Sequence, residues 1–442
     1  SPKEQQAAET LQKHLSTLPN ASITLITETD PQGVFTIYLG HTLRSREKNM
    51  DENEWAEDGF TSITATDHII LAGGSGKGLL YAVYDLLSEL GFKRYGLEQA
   101  QAPTLQTIAL PEREKSVNPK IRYRTTSYSE MADPEYADWQ RLSSRSEWGL
   151  FVHTFNTLVP FKKYGDAHPE FYSLINGVRR PGTQLCLSNP EVLKILVENL
   201  KARIAEKPEA KYWSVSQDDN DRYCTCEKCQ ALNAQYGSVP SGSIIWFVNQ
   251  VAREIPDRII STLAYWYSRK APKNIRIEPN VNIMLCNIES SREAPVFVTD
   301  KAFSNDLRDW GALSENILIW DYNIQFTNFV SPFPNLFTIK PNIRFYTENH
   351  VSALFMQANN EPSAEMALLR SHLIAQLMWD PEADENKLID GFLNGYFGAA
   401  GPFIRQYIDA MQGSLTRSGM HLSIFGDPTD AKEAYLSHEM VK

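Results

Sequence analysis

The spacing of apolar and polar positions divides the chain into two regimes. Up to about residue 112, a polar helical stretch, Lys3 to Leu18, is followed by runs of strand period at Ile23–Thr27 and Val34–Tyr38. A third run follows Asp58-Gly-Phe60, and His68–Leu71 makes a fourth. Gly73-Gly-Ser-Gly-Lys-Gly78 then opens a helix, Leu79–Leu90, which Gly91 closes. A phosphate-binding loop needs Ser or Thr after its lysine, and Gly78 stands there instead, so the glycines predict a tight strand-to-helix turn. Residues 1–112 therefore read as a small α/β domain, and Gln99–Pro119, with Pro103, Pro111 and Pro119, reads as a linker.

Beyond Pro119 short apolar runs recur at Ile121–Thr126, Leu150–His153, Gln184–Leu187, Tyr212–Ser216, Ile259–Trp266, Val281–Cys286, Ile317–Asp321 and Val351–Met356. Helical patterns lie between several of them, at Glu191–Ile204, Ser241–Ile255, Thr299–Gly311 and Ser363–Trp379. Strand–helix alternation implies parallel strands, and eight repeats predict a (β/α)8 TIM barrel over 119–380. Glu170–Arg179, with its Asn176-Gly177 turn, predicts an inserted hairpin. After Pro381, Leu388, Ile389, Phe392, Leu393 and Tyr396 return at helical spacing, so 381–442 reads as packing helices. No stop signal closes Thr429–Lys442, and the natural chain is expected to continue past Lys442.

Composition narrows the function. A hydrophobic fraction of 42% with 22% charged residues is that of a folded globular chain. A net charge of −11 excludes nucleic-acid binding through counterion release, and no apolar run is long enough to span a membrane.

In a barrel of this kind the active site lies at the C-terminal ends of the strands. Reading those ends in order gives Ser127 and Tyr128, His153 and Asn156, Ser188 and Asn189, then Gln217-Asp218-Asp219-Asn220. The last four give Tyr265-Trp266-Tyr267, Asn287-Ile288-Glu289, Trp320-Asp321-Tyr322-Asn323 and Gln357-Ala358-Asn359-Asn360. Lysine and arginine are missing there beyond Arg122 and Arg124 of the first strand, which argues against a phosphate or polyanion. Carboxylates beside aromatic rings and amides suit a sugar, whose faces stack and whose hydroxyls need paired partners.

Cleaving a glycosidic bond takes two carboxyl groups. Asp218 and Asp219 are a candidate catalytic pair, and adjacent acids also suit hydrolysis in which the substrate's own acetamido oxygen attacks. Two aspartates equally begin a capped turn. Glu289 and Asp321 are the other candidate carboxylates, each equally able to hold a hydroxyl or an ion pair. Candidate sugar contacts are His153, Asn156, Gln217, Asn220, Trp266, Tyr267, Trp320, Tyr322, Gln357 and Asn359. No Gly-x-Ser-x-Gly elbow or His-Glu-x-x-His pattern occurs, which removes serine-nucleophile and metalloprotease chemistry.

Cys224-Thr-Cys-Glu-Lys-Cys229 has C-x-C-x2-C spacing. Three thiolates make a zinc site only with a fourth ligand, such as Cys186, Cys286, Asp221 or His168. A disulfide within the cluster or free thiols compete, and the second C-x2-C half of a strong zinc pattern is missing. The expectation taken forward is no metal and no cofactor, with the cluster shaping the loop after the fourth strand.

Val215-Ser-Gln-Asp-Asp-Asn220, Cys224–Cys229 and Ser241-Gly-Ser-Ile-Ile-Trp-Phe-Val-Asn-Gln-Val-Ala252 together resemble a domain of unknown function found in secreted proteins of glycan-degrading bacteria. That domain includes glycoside hydrolase family 163. Ile319-Trp-Asp-Tyr322, Ser331-Pro-Phe-Pro-Asn335 and Leu377-Met-Trp-Asp-Pro381 are similar to it too, so the resemblance runs from about Pro119 to about Tyr407. Ile70–Tyr95 is similar to the small α/β domain that precedes the barrel in β-hexosaminidases and α-glucuronidases.

The resemblance implies a retaining endo-β-N-acetylglucosaminidase of N-glycans, exported to the periplasm or outer surface of a bacterium. It places Asp219 in the fourth-strand site with Glu289 or Asp321 opposite. At Asp218, at Ser290–Arg292 and at Gln357 the chain departs from the family's usual residues. Two other readings fit the same rim: a glycan-binding barrel without catalysis, and an exo-acting α-glucuronidase or hexosaminidase-like hydrolase.

Overall fold

The computed structural model describes residues 1–30, 35–104, 110–360 and 363–441; Val34, residues 105–109 of the expected linker, and Lys442 lie outside them. The chain divides into two compact units. The first comprises Ser1–Arg124, Tyr128–Leu142 and Asn360–Ala410; the second comprises Thr125–Ser127, Ser143–Asn359 and Met411–Lys442.

The first unit carries a four-stranded sheet of β1 (Thr36–Leu39), β2 (Phe60–Thr64), β3 (His68–Gly73) and β4 (Arg113–Val117), in the order β1-β3-β2-β4. β4 lies in the stretch expected to be linker, where it pairs antiparallel with β2. The expected run Ile23–Thr27 forms no strand. The helix Pro2–Leu15 begins with a capping box of Ser1 and Glu4, and it packs with the helix Gly78–Glu89 around Leu11, Leu71, Leu80, Val83 and Leu87. The glycine run is a packing device. A Cβ at Gly78 would collide with the carbonyl of Gly59, so the helix start needs the missing side chain.

The second unit adds β5 (Tyr123–Thr126, its last two residues in this unit), β6 (Trp148–Leu150), β7 (Leu174–Ile175), β8 (Val178–Arg179) and β9 (Tyr212–Ser214). It continues with β10 (Ile259–Ala264), β11 (Val281–Cys286), β12 (Ile317–Tyr322) and β13 (Val351–Gln357). β7 and β8 form the expected hairpin. The other seven make one sheet in the order β5-β13-β12-β11-β10-β9-β6, with parallel ladders from β6 through β13.

Helices Ser241–Glu254, Lys301–Gly311 and Leu336–Thr347 form crossovers, and every residue of β11 is buried, as a strand covered on both faces requires. The sheet curls. Phe151, just after β6, packs on Phe355 of β13 and Trp320 of β12, at ring distances of 5.4 and 5.8 Å.

This half-barrel meets the expected eight-stranded closed barrel in part. Gln184–Leu187 joins no ladder, because the inserted segment takes its backbone groups: Ser173 N–H donates to the Gln184 carbonyl and Cys186 N–H to the Phe171 carbonyl, at 2.9 and 2.8 Å. No ladder joins β5 to β6 among the described residues. None of the described helices is long and apolar enough to cross a membrane.

Candidate active site

Alternation along the strands decides which side chains enter the curl. On β12, Trp320 and Tyr322 stack on each other at 5.8 Å, and the Trp320 indole N–H donates to Gln357 Oε1 at 2.6 Å. Asp321, between them, must then point to the other face. It is 1% exposed, and there its Oδ2 accepts from Tyr346 Oη (2.8 Å) of the helix Leu336–Thr347. Its Oδ1 accepts from Asn287 Nδ2 at 2.9 Å and from the Tyr322 N–H at 2.7 Å. Arg292 lies 3.8 Å away, buried, and donates to the Tyr322 and Asn287 carbonyls. Asp321 is a fully paired structural carboxylate joining β11, β12 and a covering helix, away from the rings that line the curl.

The adjacent aspartates after β9 part company. Asp219 is exposed, and its Oδ1 accepts from the Tyr265 hydroxyl at 3.3 Å. Glu289 is exposed too. Burial, helped by the charges of Asp219 and Glu289, raises the pKa of the Tyr265 hydroxyl far above its ordinary value, so it remains a donor. The Tyr265 ring lies 6.3 Å from His153 and 5.5 Å from Trp266, which is 50% exposed. His153 and Trp266 both have positive φ, near 55°, a backbone state that bulky residues adopt at a cost and that clusters at functional sites. His153 Nδ1 faces the Gln217 carbonyl at 2.9 Å, the geometry of an Nδ1–H donor.

Asp218 is half-buried under the loops. Its Oδ1 accepts from the Asn156 N–H at 3.3 Å, while Gln184 clasps its backbone: Asp218 N–H donates to Gln184 Oε1 at 3.0 Å, and Gln184 Nε2 donates to the Asp218 and Asn220 carbonyls at 2.7 Å each. Burial pushes the Asp218 carboxyl up from 3.8 to about 6, with the Asn156 bond acting against it.

Glu289 after β11 is ion-paired with Arg269 at 3.1 Å, and Arg269 also reaches Asp306 at 2.8 Å and Asp300 at 4.0 Å. Sequence reasoning missed Arg269, which follows the fifth strand's aromatic triplet by two residues, and Arg292. The expectation of a rim without arginine is corrected accordingly, although the charge of Arg269 is shared among three carboxylates.

The structure thus brings Asp219, Tyr265, Trp266, Glu289 and His153 together, with Trp320, Tyr322 and Gln357 deeper in the curl. Five expected sugar contacts sit elsewhere or are occupied. Gln217 and Asn359 are buried, and Gln217 Nε2 donates to Ser268 Oγ at 2.7 Å. Tyr267 stacks on Tyr223 at 4.8 Å beneath the loop, and Asn220 Oδ1 accepts from the Arg222 N–H at 3.1 Å. Asn156 is exposed, with its Oδ1 accepting from the Phe161 N–H at 3.1 Å.

No curated protein is similar to the chain. Among solved structures it is similar to a GH115 4-O-methyl-α-glucuronidase with specificity for decorated arabinogalactans, at TM-score 0.53 and 10% identity, over 94% of this chain and 60% of that one. It is also similar to a chitobiase from Flavobacterium johnsoniae, at TM-score 0.50 and 10% identity, over 91% and 69% of the two chains. A GH138 enzyme targeting pectin rhamnogalacturonan II matches at TM-score 0.44 and 12% identity, over 95% of this chain and 54% of that one. The chain therefore spans little more than half of the GH138 enzyme's length. At these identities the likeness is one of fold alone. The domain of unknown function DUF4838 matches residues 94–409, well over half of the sequence, and the chain belongs to that family.

Proposed function

We propose that the protein is a retaining glycoside hydrolase of glycans that contain N-acetylglucosamine, acting as an endo-β-N-acetylglucosaminidase on N-glycans outside the bacterial cytoplasm. The observation that carries this is the pair of exposed carboxylates, Asp219 and Glu289, that bear on one half-buried tyrosine hydroxyl, Tyr265, beside the exposed indole of Trp266. The ring would stack on a sugar face, and two carboxyl groups are what glycosidic cleavage needs.

In this reading Asp219 protonates the leaving oxygen and then activates water. Glu289, paired with Arg269, stabilises the positive charge that builds on the sugar as its acetamido oxygen attacks the anomeric carbon. Glu289 is engaged by Arg269, which is why the acid role is given to Asp219. Asp218 positions the loop, and Asp321 holds β12.

A uronic-acid substrate would need a free cation in the cleft. Arg269 is instead engaged by three carboxylates, so the α-glucuronidase reading is set aside. The test is incubation with released and protein-linked complex N-glycans, with products analysed by mass. Cleavage between the two core N-acetylglucosamines supports the proposal; intact glycans across the series would end it.

A further inference from the structure

Four cysteines from two distant stretches of the chain meet in the second unit. Cys186 lies within Gln184–Leu187, Cys224 and Cys226 lie in the loop after β9, and Cys229 is in the first turn of the helix Glu227–Gln235. Their sulfur atoms all lie within 4.8 Å of one another. Cys186 Sγ is 3.7 Å from Cys226 Sγ and 4.0 Å from Cys229 Sγ. Four sulfurs bound to one zinc at about 2.3 Å form a tetrahedron with edges of about 3.8 Å. The two Cys186 separations have about that length, and the others stay within 4.8 Å.

The surroundings suit thiolates. The Leu174 N–H points at Cys224 Sγ at 3.3 Å, and Arg179 places its guanidinium 3.9 Å from the same sulfur. Ser188 Oγ lies 3.6 Å from the sulfurs of Cys186 and Cys226 and 3.2 Å from that of Cys229. A tetrathiolate around a divalent ion carries two negative charges, and these donors and the guanidinium offset part of them.

Local packing also calls for a staple. The four cysteines form their own small core, with only the partly buried Leu174 packed against it among the described residues. The segments it joins are the hairpin β7–β8, the stretch around Cys186 and the loop after β9. They are otherwise held by a few backbone bonds, such as the Thr225 N–H to the Leu174 carbonyl at 2.9 Å. So little apolar surface does not hold three irregular segments in place.

We propose that Cys186, Cys224, Cys226 and Cys229 bind one zinc ion as a closed tetrahedral site that fixes the loop bearing Asp218 and Asp219. Binding displaces the four thiol protons to solvent and leaves all four coordination positions filled by sulfur, so the ion is structural and takes no substrate. The mechanical link is Gln184, two residues before Cys186, which clasps the backbones of Asp218 and Asn220. The sequence alone favoured no metal; the observation that carries the proposal is the arrival of Cys186 beside the other three sulfurs.

The experiment uses the full chain purified from zinc-supplemented medium, with bound metal quantified by plasma mass spectrometry. About one zinc per chain is expected, released as a mercurial reagent titrates the thiols. Cobalt substituted into the wild-type protein should show thiolate-to-metal charge transfer and the visible bands of a tetrahedral site, a readout that needs no variant to fold. Cys229→Ser should lower zinc affinity at least about tenfold, in line with losses on disturbing a metal's surroundings, whereas Cys286→Ser should leave zinc content unchanged. Disulfides among the four cysteines with no metal, iron in place of zinc, an octahedral cobalt spectrum, or zinc binding indifferent to Cys229→Ser would each overturn the proposal.

Discussion

Replacing Asp218 by asparagine should stabilise the second unit at neutral pH and not at acid pH. The carboxyl titrates near 6 in the folded protein against an ordinary 3.8, because the surrounding loops strip water from its charged form. Below pH 4 the group is protonated whether the chain is folded or unfolded, and burial then costs little. Between the two values the unfolded chain ionises first, so folding must take up a proton and stability falls as pH rises. Above pH 6 the penalty is complete. The difference between 3.8 and about 6 corresponds to at most about 3 kcal/mol. An asparagine keeps an acceptor for the Asn156 N–H but makes a weaker bond, at a cost of about 1 kcal/mol. The net gain expected is about 1–2 kcal/mol, or about 2–8 °C in the midpoint of this unit.

The assay is scanning calorimetry of Asp218→Asn and wild type at a series of pH values from 4 to 8. Asp219→Asn serves as the control, since Asp219 is exposed and should show no such trend. A gain independent of pH, or a loss that deepens as pH rises, would refute the reasoning. The same variant should keep its glycosidase activity within about tenfold, because the positioning role assigned to Asp218 needs the backbone clasp of Gln184 more than the charge.

Other variants separate chemistry from scaffold. Tyr265→Phe removes the hydroxyl donor to Asp219 and should lower kcat/KM by roughly 10- to 100-fold with little change in melting temperature, because a bond to a charged group contributes about 1.5–3 kcal/mol. Glu289→Gln should be nearly inactive on every substrate, aryl glycosides included, since it acts on the attacking group and not on the leaving group; steady-state rates on two leaving groups check this. Arg292→Ala strands Asp321 and the Asn287 carbonyl in the interior and should destabilise the unit by about 3–5 kcal/mol, measured by urea unfolding.

Much of this architecture is legible in the sequence because parallel strands covered on both faces announce themselves as apolar runs. Val281–Cys286, Ile317–Tyr322 and Val351–Gln357 are of that kind. Gln184–Leu187 has the same look, but its backbone bonds go to the inserted segment, a choice that local pattern does not encode. Pro341 hides the helix Leu336–Thr347, since proline inside a helix removes a backbone donor and reads as a break. β4, Arg-Glu-Lys-Ser-Val, alternates as a strand should, yet its charges and the flanking prolines read as linker.

At the site, the strand-end rule names Asp219, Tyr265, Trp266 and Glu289, which the structure places close together. It mistook Asp321 for a member because it ignored the two-residue period: with Trp320 and Tyr322 facing the rings, Asp321 had to face the helices. Arg269 and Arg292 lie in loops without periodicity, where only tertiary contact assigns a role. The thiol cluster was half visible, since the spacing of three cysteines is local and the fourth arrives through the fold.

The central claim is that Asp219 supplies the proton for glycoside cleavage. Its most direct test is turnover of Asp219→Asn against wild type on an aryl N-acetylglucosaminide and on a natural N-glycan. A loss of about 10²–10⁴-fold is expected on the natural glycan, with a much smaller loss on the aryl substrate, whose leaving group needs no proton. Full activity of Asp219→Asn on the natural glycan would contradict it.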